Sequence, residues 1–156
     1  VADASLHVTV KFLGQIDDAR VPAVAEALAG AASRVAAFEV AVRGLGAFPS
    51  PSRARVIWAG LEGAEPLAAL AGEVDRALAA LGVPPESRAF AAHVTLGRAR
   101  EARPNSALAR ALARPVDFGR LPVTRLSLMR SELRPQGSRY TELAGVLLGG
   151  GPPPVE

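Results

Sequence analysis

No cysteine occurs among the 156 residues. That excludes a disulfide framework, a thiolate metal site and a cysteine nucleophile. Long apolar runs are missing too. Arg, Glu, Gly or Pro interrupts each one well before the roughly 18 residues that a membrane-spanning helix needs. No basic-then-apolar leader opens the chain, so a soluble, cytoplasmic protein that is not exported is expected. Aromatic residues make up only 4%, and Lys11 is the single lysine among 18 basic residues. Arg offers a planar fork of donors suited to phosphate oxygens. The same bias toward Arg, Ala, Gly and Pro also follows from a GC-rich genome, and a net charge of +3 does not announce a nucleic-acid binder.

What is present suits one domain, or two small lobes sharing a cleft. Residues 5–13 (SLHVTVKFL) alternate polar and apolar, the period of a half-buried strand. Residues 17–35 place Val24, Leu28, Ala31 and Val35 at helical spacing, with Pro22 in the first turn. Residues 38–45 alternate again, 46–53 (GAFPSPSR) read as a loop, and 54–60 (ARVIWAG) as a strand. A second helix is predicted over 65–81, with Gly82 just past its end. After the break at 82–86 come a strand over 88–98, a short helix over 106–112 and a short strand over 116–121. Two strands over 123–133 and 139–148 follow, joined by the turn 134–138, and then a disordered tail over 149–156. Strands mixed with two long helices give an α+β class with antiparallel sheets.

The only two histidines stand in matching contexts, His7-Val8-Thr9-Val10 and His93-Val94-Thr95-Leu96. With four threonines in the chain, chance alone would put Thr two places after both histidines roughly once in two thousand times. Residues i and i+2 of a strand share a face, so each imidazole gains a neighbouring hydroxyl. Two such strands, one in each half, point to an internal duplication with sheets facing across a cleft. Histidine exists in both protonation states near neutral pH, so one ring can take a proton while the other gives one. The threonine hydroxyls and Arg98 would hold the nonbridging oxygens of a phosphodiester. Strict alternation turns Arg98 away from His93, so the strand must end or bulge at Gly97 for Arg98 to reach.

HVTVKFLG at 7–14 and HVTLGR at 93–98 resemble the two signatures of the 2H phosphoesterase superfamily, most closely the RNA 2′,3′-cyclic phosphodiesterases, also called 2′-5′ RNA ligases. GAFPSPSRARVIWAG at 46–60, LSLMRSEL at 126–133 and the strand holding Tyr140 fit the same family in order. The resemblance implies a bilobal α+β fold, with two pseudo-symmetric antiparallel sheets flanking a central cleft and helices on the outer faces. It implies no metal and no cofactor, catalytic roles for His7 and His93, and phosphate contacts from Thr9, Thr95 and Arg98. The implied substrate is RNA ending in a 2′,3′-cyclic phosphate, tRNA fragments included, opened to a 2′-phosphomonoester, with reversible 2′-5′ ligation in some members. By analogy His93 is the base toward water and His7 the acid toward the 3′-oxygen.

Plainer readings accompany each choice. The histidines could be structural, the threonines could reflect β-propensity alone, and Arg98 could be a solvated charge. Lys11 could be a rim salt bridge or a substrate contact. Phe48 and Arg53 could meet the base or the next phosphate, with Phe48 equally a core anchor. Trp58 and Tyr140 read as core or cleft-wall aromatics. The rival function is a non-hydrolytic RNA-end or nucleotide binder, or a phosphodiesterase for another cyclic phosphate or a 2′-5′ linked substrate. A metal-dependent hydrolase fits poorly, because two histidines without carboxylates at ligand spacing cannot supply three ligands. The single bilobal domain is expected over 1–148, as a monomer without a membrane partner. Since His7 comes so early, a strand and helix of the family fold are expected to be absent before it. Leu6, Val8, Val10 and Phe12 would then form an apolar face in need of cover.

Overall fold

The computed structural model describes residues 1 and 3–150. Six strands run as β1 (Phe38–Ser50), β2 (Arg53–Glu62), β3 (His93–Arg98), β4 (Asp117–Val123), β5 (Arg125–Arg134) and β6 (Gly137–Leu147). The helices are α1 (Val21–Ser33), α2 (Glu65–Ala79) and α3 (Ser106–Leu112). Two sheets form: a four-stranded one in the order β3-β2-β1-β4, and the two-stranded β5-β6. The fold is α+β with two antiparallel sheets, of unequal size. No described helix is long and apolar enough to cross a membrane.

The chain divides into two compact units. The first gathers Val1–Thr9, Glu39–Ala64 and Ala91–Leu121, and so contains most of the four-stranded sheet together with α3. Asn105 caps α3, its side-chain oxygen accepting from the Leu108 amide at 3.0 Å, which satisfies a donor that the first turn leaves open. One face of this sheet is covered: Leu45, Ala47, Ala54 and Ile57 pack with Leu108 and Leu112 of α3. The pairing register puts those four strand residues on a common side, leaving the opposite side for other work.

The second unit holds α1, α2 and the β5-β6 hairpin. Val24, Leu28, Ala31 and Ala32 form the buried stripe of α1, and Leu67, Leu70, Val74 and Leu78 that of α2. Both follow the helical period. Helix α1 packs on α2 and on β5-β6, with Leu126 and Leu128 of β5 buried. Gly82, at φ +83°, ends the α2 region in the left-handed conformation, and the Val83 amide donates back to the Leu78 carbonyl at 3.1 Å.

Four expectations need correction. Residues 6–14 belong to neither sheet, although the period of SLHVTVKFL is that of a strand; alternation supplies a face, while only a partner strand supplies a ladder. The expected burial is also reversed at its end, with Phe12 79% exposed and the Lys11 side chain 5% exposed. Lys11 is held by the Asp75 carboxylate and donates to the Pro84 carbonyl at 3.0 Å, so its charge is buried with partners rather than sitting on the rim. The second correction concerns 46–53, where β1 continues through Gly46-Ala47-Phe48-Pro49, paired with β2, and only Pro51 and Ser52 make the turn. The third is that residues 88–92 precede β3 instead of lying in it. The last concerns the tail: Leu148–Gly150 form a 3-10 turn with Leu148 buried, while 151–156 lie outside the described residues.

Candidate active site

Strand β3 is an edge strand paired to β2, with His93 opposite Gly60, Thr95 opposite Trp58 and Arg98 opposite Val56. Directly opposed residues of a ladder share a face, and residues 56, 58 and 60 alternate onto one side of β2. His93, Thr95 and Arg98 therefore lie on the same face. The parity problem posed by Arg98 is solved by a register shift: Gly97 pairs with Ile57, the neighbour of Trp58, so Leu96 is the extra residue of a bulge. This face is the one that α3 leaves uncovered. Thr95 is half-buried and Arg98 exposed, and Arg98 has no ion-pair partner among the described residues. Many other arginines are engaged; Arg120 reaches Glu39 at 2.7 Å and Arg43 reaches Glu62 at 3.2 Å.

His7 and Thr9 lie in the same compact unit as His93, Thr95 and Arg98, on the N-terminal segment. The expectation of one H-x-T strand in each half thus gives way to a single unit containing both motifs, one on a ladder and one off it. The first residue's amino group donates to the Leu96 carbonyl at 3.3 Å, beside the bulge.

The two imidazoles are held in the same way. Nδ1 of His7 lies 2.6 Å from the Ser5 carbonyl oxygen, and Nδ1 of His93 lies 2.7 Å from that of Ala91. A carbonyl only accepts, so Nδ1–H is the donor in each ring. In the neutral form this leaves Nε2 as the basic nitrogen, and in the cation Nε2–H is the proton that can be given away. Both spacings run from His to the residue two places before it, one arrangement made twice.

An aromatic pair adjoins His93. Phe48 meets the His93 ring edge to face, with centroids 5.2 Å apart and planes at 89°. Trp58 lies 5.4 Å from Phe48 and 6.5 Å from His93. Gly46 makes room for the indole, and Gly60 for the Arg43 backbone. A Cβ on Gly46, directly opposite Trp58, would overlap its ring, and one on Gly60 would lie 3.6 Å from Cζ3 and 2.6 Å from the Arg43 carbonyl oxygen. Trp58 Nε1 is buried without a partner, so the indole contributes ring area here and not a hydrogen bond. Gly and Pro around Phe48 predict a loop there, whereas Phe48 lies in β1 and against His93. The available signal was a glycine close to each aromatic residue, Gly46 opening GAFP and Gly60 following VIWA.

Among the described residues no group of three His, Asp or Glu side chains is arranged to hold a metal ion. The donors assembled here, hydroxyl, guanidinium and imidazole, suit a phosphoryl group, because each can face oxygens that carry negative charge.

A sheet with one helix-covered face, a second face bearing His, Thr and Arg, and a second H-x-T segment in the same unit match the class that the two motifs resemble, the 2H phosphoesterases. The sequence model of the 2′-5′ RNA ligase superfamily matches residues 1–135, and the chain belongs to that family. An RNA 2′,3′-cyclic phosphodiesterase of Aeropyrum pernix is 38% identical over 146 residues, 92% of this chain and 82% of that protein. One from Aquifex aeolicus is 36% identical over 154 residues, 96% of this chain and 81% of its own length. A crystal structure of a Thermus thermophilus protein superposes with a TM-score of 0.77 at 32% identity, covering 96% of this chain and 81% of that one. E. coli LigT in complex with 3′-AMP gives a TM-score of 0.73 at 27% identity, covering 95% and 79%.

Proposed function

We propose that this chain, an RNA 2′,3′-cyclic phosphodiesterase by kinship, opens the terminal cyclic phosphate of RNA to a 2′-phosphomonoester, using His7 and His93 as paired acid and base. The observation that carries the reading is the common face of His93, Thr95 and Arg98, created by the Leu96 bulge. In the reaction neutral His93 takes a proton from water at Nε2 as the water oxygen bonds to phosphorus. The P–O3′ bond breaks, and protonated His7 gives its Nε2 proton to the departing 3′-oxygen. The sum is addition of one water, with a 2′-phosphate and a 3′-hydroxyl as products. Arg98 and the hydroxyls of Thr9 and Thr95 stabilise the charge that grows on the nonbridging oxygens. With an RNA 5′-hydroxyl in place of water, the same displacement gives a 2′-5′ phosphodiester, and its reverse cleaves one.

Product analysis tests this. A short RNA with a 2′,3′-cyclic end, incubated in the presence of a chelator, is expected to yield the 2′-phosphate. A 3′-phosphate, turnover that returns only with added zinc, or binding without turnover would each overturn the reading.

A further inference from the structure

The Nδ1–H bond to Ala91 ties one corner of the His93 imidazole and leaves the ring able to swing about that corner. Phe48 stands where such a swing would take place. It lies on β1, two strands away from β3; neighbouring strands are spaced about 4.8 Å apart, so the strands are separated by about twice that distance, and Phe48, opposite Val56, is also displaced along the sheet from His93, opposite Gly60. The 5.2 Å centroid separation therefore requires both rings to lean together over β2. The residue opposite His93 is Gly60, which carries no side chain of its own on that face. Trp58, seated against Gly46, touches Phe48 and also lies 6.5 Å from His93, so the three rings form one cluster. The edge-to-face geometry is one that aromatic quadrupoles favour.

We propose that Phe48 is a positioning residue for His93: its ring, supported by Trp58, holds the imidazole in the orientation that keeps Nδ1–H on the Ala91 carbonyl and turns Nε2 to the reacting atoms. The inference rests on the proposed role of His93 and adds to it the element that keeps the base aimed. Phe48 is 38% exposed, so a second use, as a stacking surface for the substrate's base, is chemically reasonable and must be separated by experiment.

The experiment compares wild type, Phe48→Tyr and Phe48→Leu on cytidine 2′,3′-cyclic phosphate and on methyl riboside 2′,3′-cyclic phosphate, which has no base. Phe48→Leu should lower kcat about tenfold or more on both substrates, as misaimed catalytic groups do, with KM changed little; Phe48→Tyr should restore the rate. A loss confined to the cytidine substrate, or appearing only in KM, would make Phe48 a base platform and overturn the proposal. An activity-independent readout is the 1H–15N tautomer pattern of the two imidazoles, assigned with His7→Ala and His93→Ala. In Phe48→Leu the His93 pattern should move away from Nδ1–H while that of His7 stays. An unchanged His93 pattern refutes the positioning role. If wild type turns over neither substrate, the proposed function has failed while the tautomer measurement still decides this inference.

Discussion

The two H-x-T segments carry the same residues and the same imidazole-to-carbonyl bond, yet they are supported by different means. His93 and Thr95 sit in a ladder, with Trp58 opposite Thr95 and aromatic rings beside the imidazole. His7 and Thr9 lie outside any described ladder, and the well-held side chain that follows them is Lys11, paired to Asp75. The residues five places after each histidine differ as well. One is Arg98, brought to the site face by a bulge, and the other is Phe12, 79% exposed. The motif thus specifies a local hydrogen-bonding arrangement around each histidine, and does not specify the secondary structure that carries it.

Substituting the histidines breaks the comparison most directly. His93→Ala and His7→Ala are each expected to lower kcat by about 10²–10⁴-fold, the usual contribution of a positioned acid or base, measured on a cyclic-phosphate substrate. If His7→Ala retained more than about a tenth of the rate, the segment outside the ladder would not be the counterpart of the one within it. A smaller effect sharpens the account of the second segment's support. Gly46→Ala drives a methyl group into the Trp58 ring, and overpacking of this kind costs about 1–3 kcal/mol, to be read from the midpoint and slope of urea unfolding. An unchanged midpoint would mean that the indole has room to move.

The smallest effect concerns the Lys11 side. The Lys11 ammonium, followed by the Glu86 amide, holds the Asp75 carboxyl below its ordinary value of 3.8. A carboxyl lowered on folding adds stability that is fully present above its unfolded pKa and lost as pH falls through the folded one. Stability should therefore decline on acidification from about pH 4 downward, and Asp75→Asn should flatten that decline while lowering stability at neutral pH. An acid-unfolding profile identical in the variant would show that the pair contributes nothing.

The two segments also show how far the sequence can be read. Helix α3 matches its predicted bounds, 106–112, and the β5-β6 hairpin appears within two residues of expectation at each end, because an Asn cap, a helical stripe and a turn followed by Gly137 are all local features. Both H-x-T motifs were legible because they are short patterns written in the chain itself, and strict alternation along a strand was enough to show that Arg98 would need a bulge to join His93. The continuation of β1 through GAFPS was not legible, because Gly and Pro signal a turn unless a partner strand is present to pair with them. Nor was the absence of a ladder at 6–14, where the period was right and the partner lacking. The amino-acid order by itself determined the α+β class, the helical stripes and the chemistry available to His7, His93, Thr9, Thr95 and Arg98. Tertiary structure alone decided that Leu96 would bulge, that Arg98 would face with His93, and that Phe48 and Trp58 would lie against the imidazole, since register and ring contacts depend on strands distant in the chain.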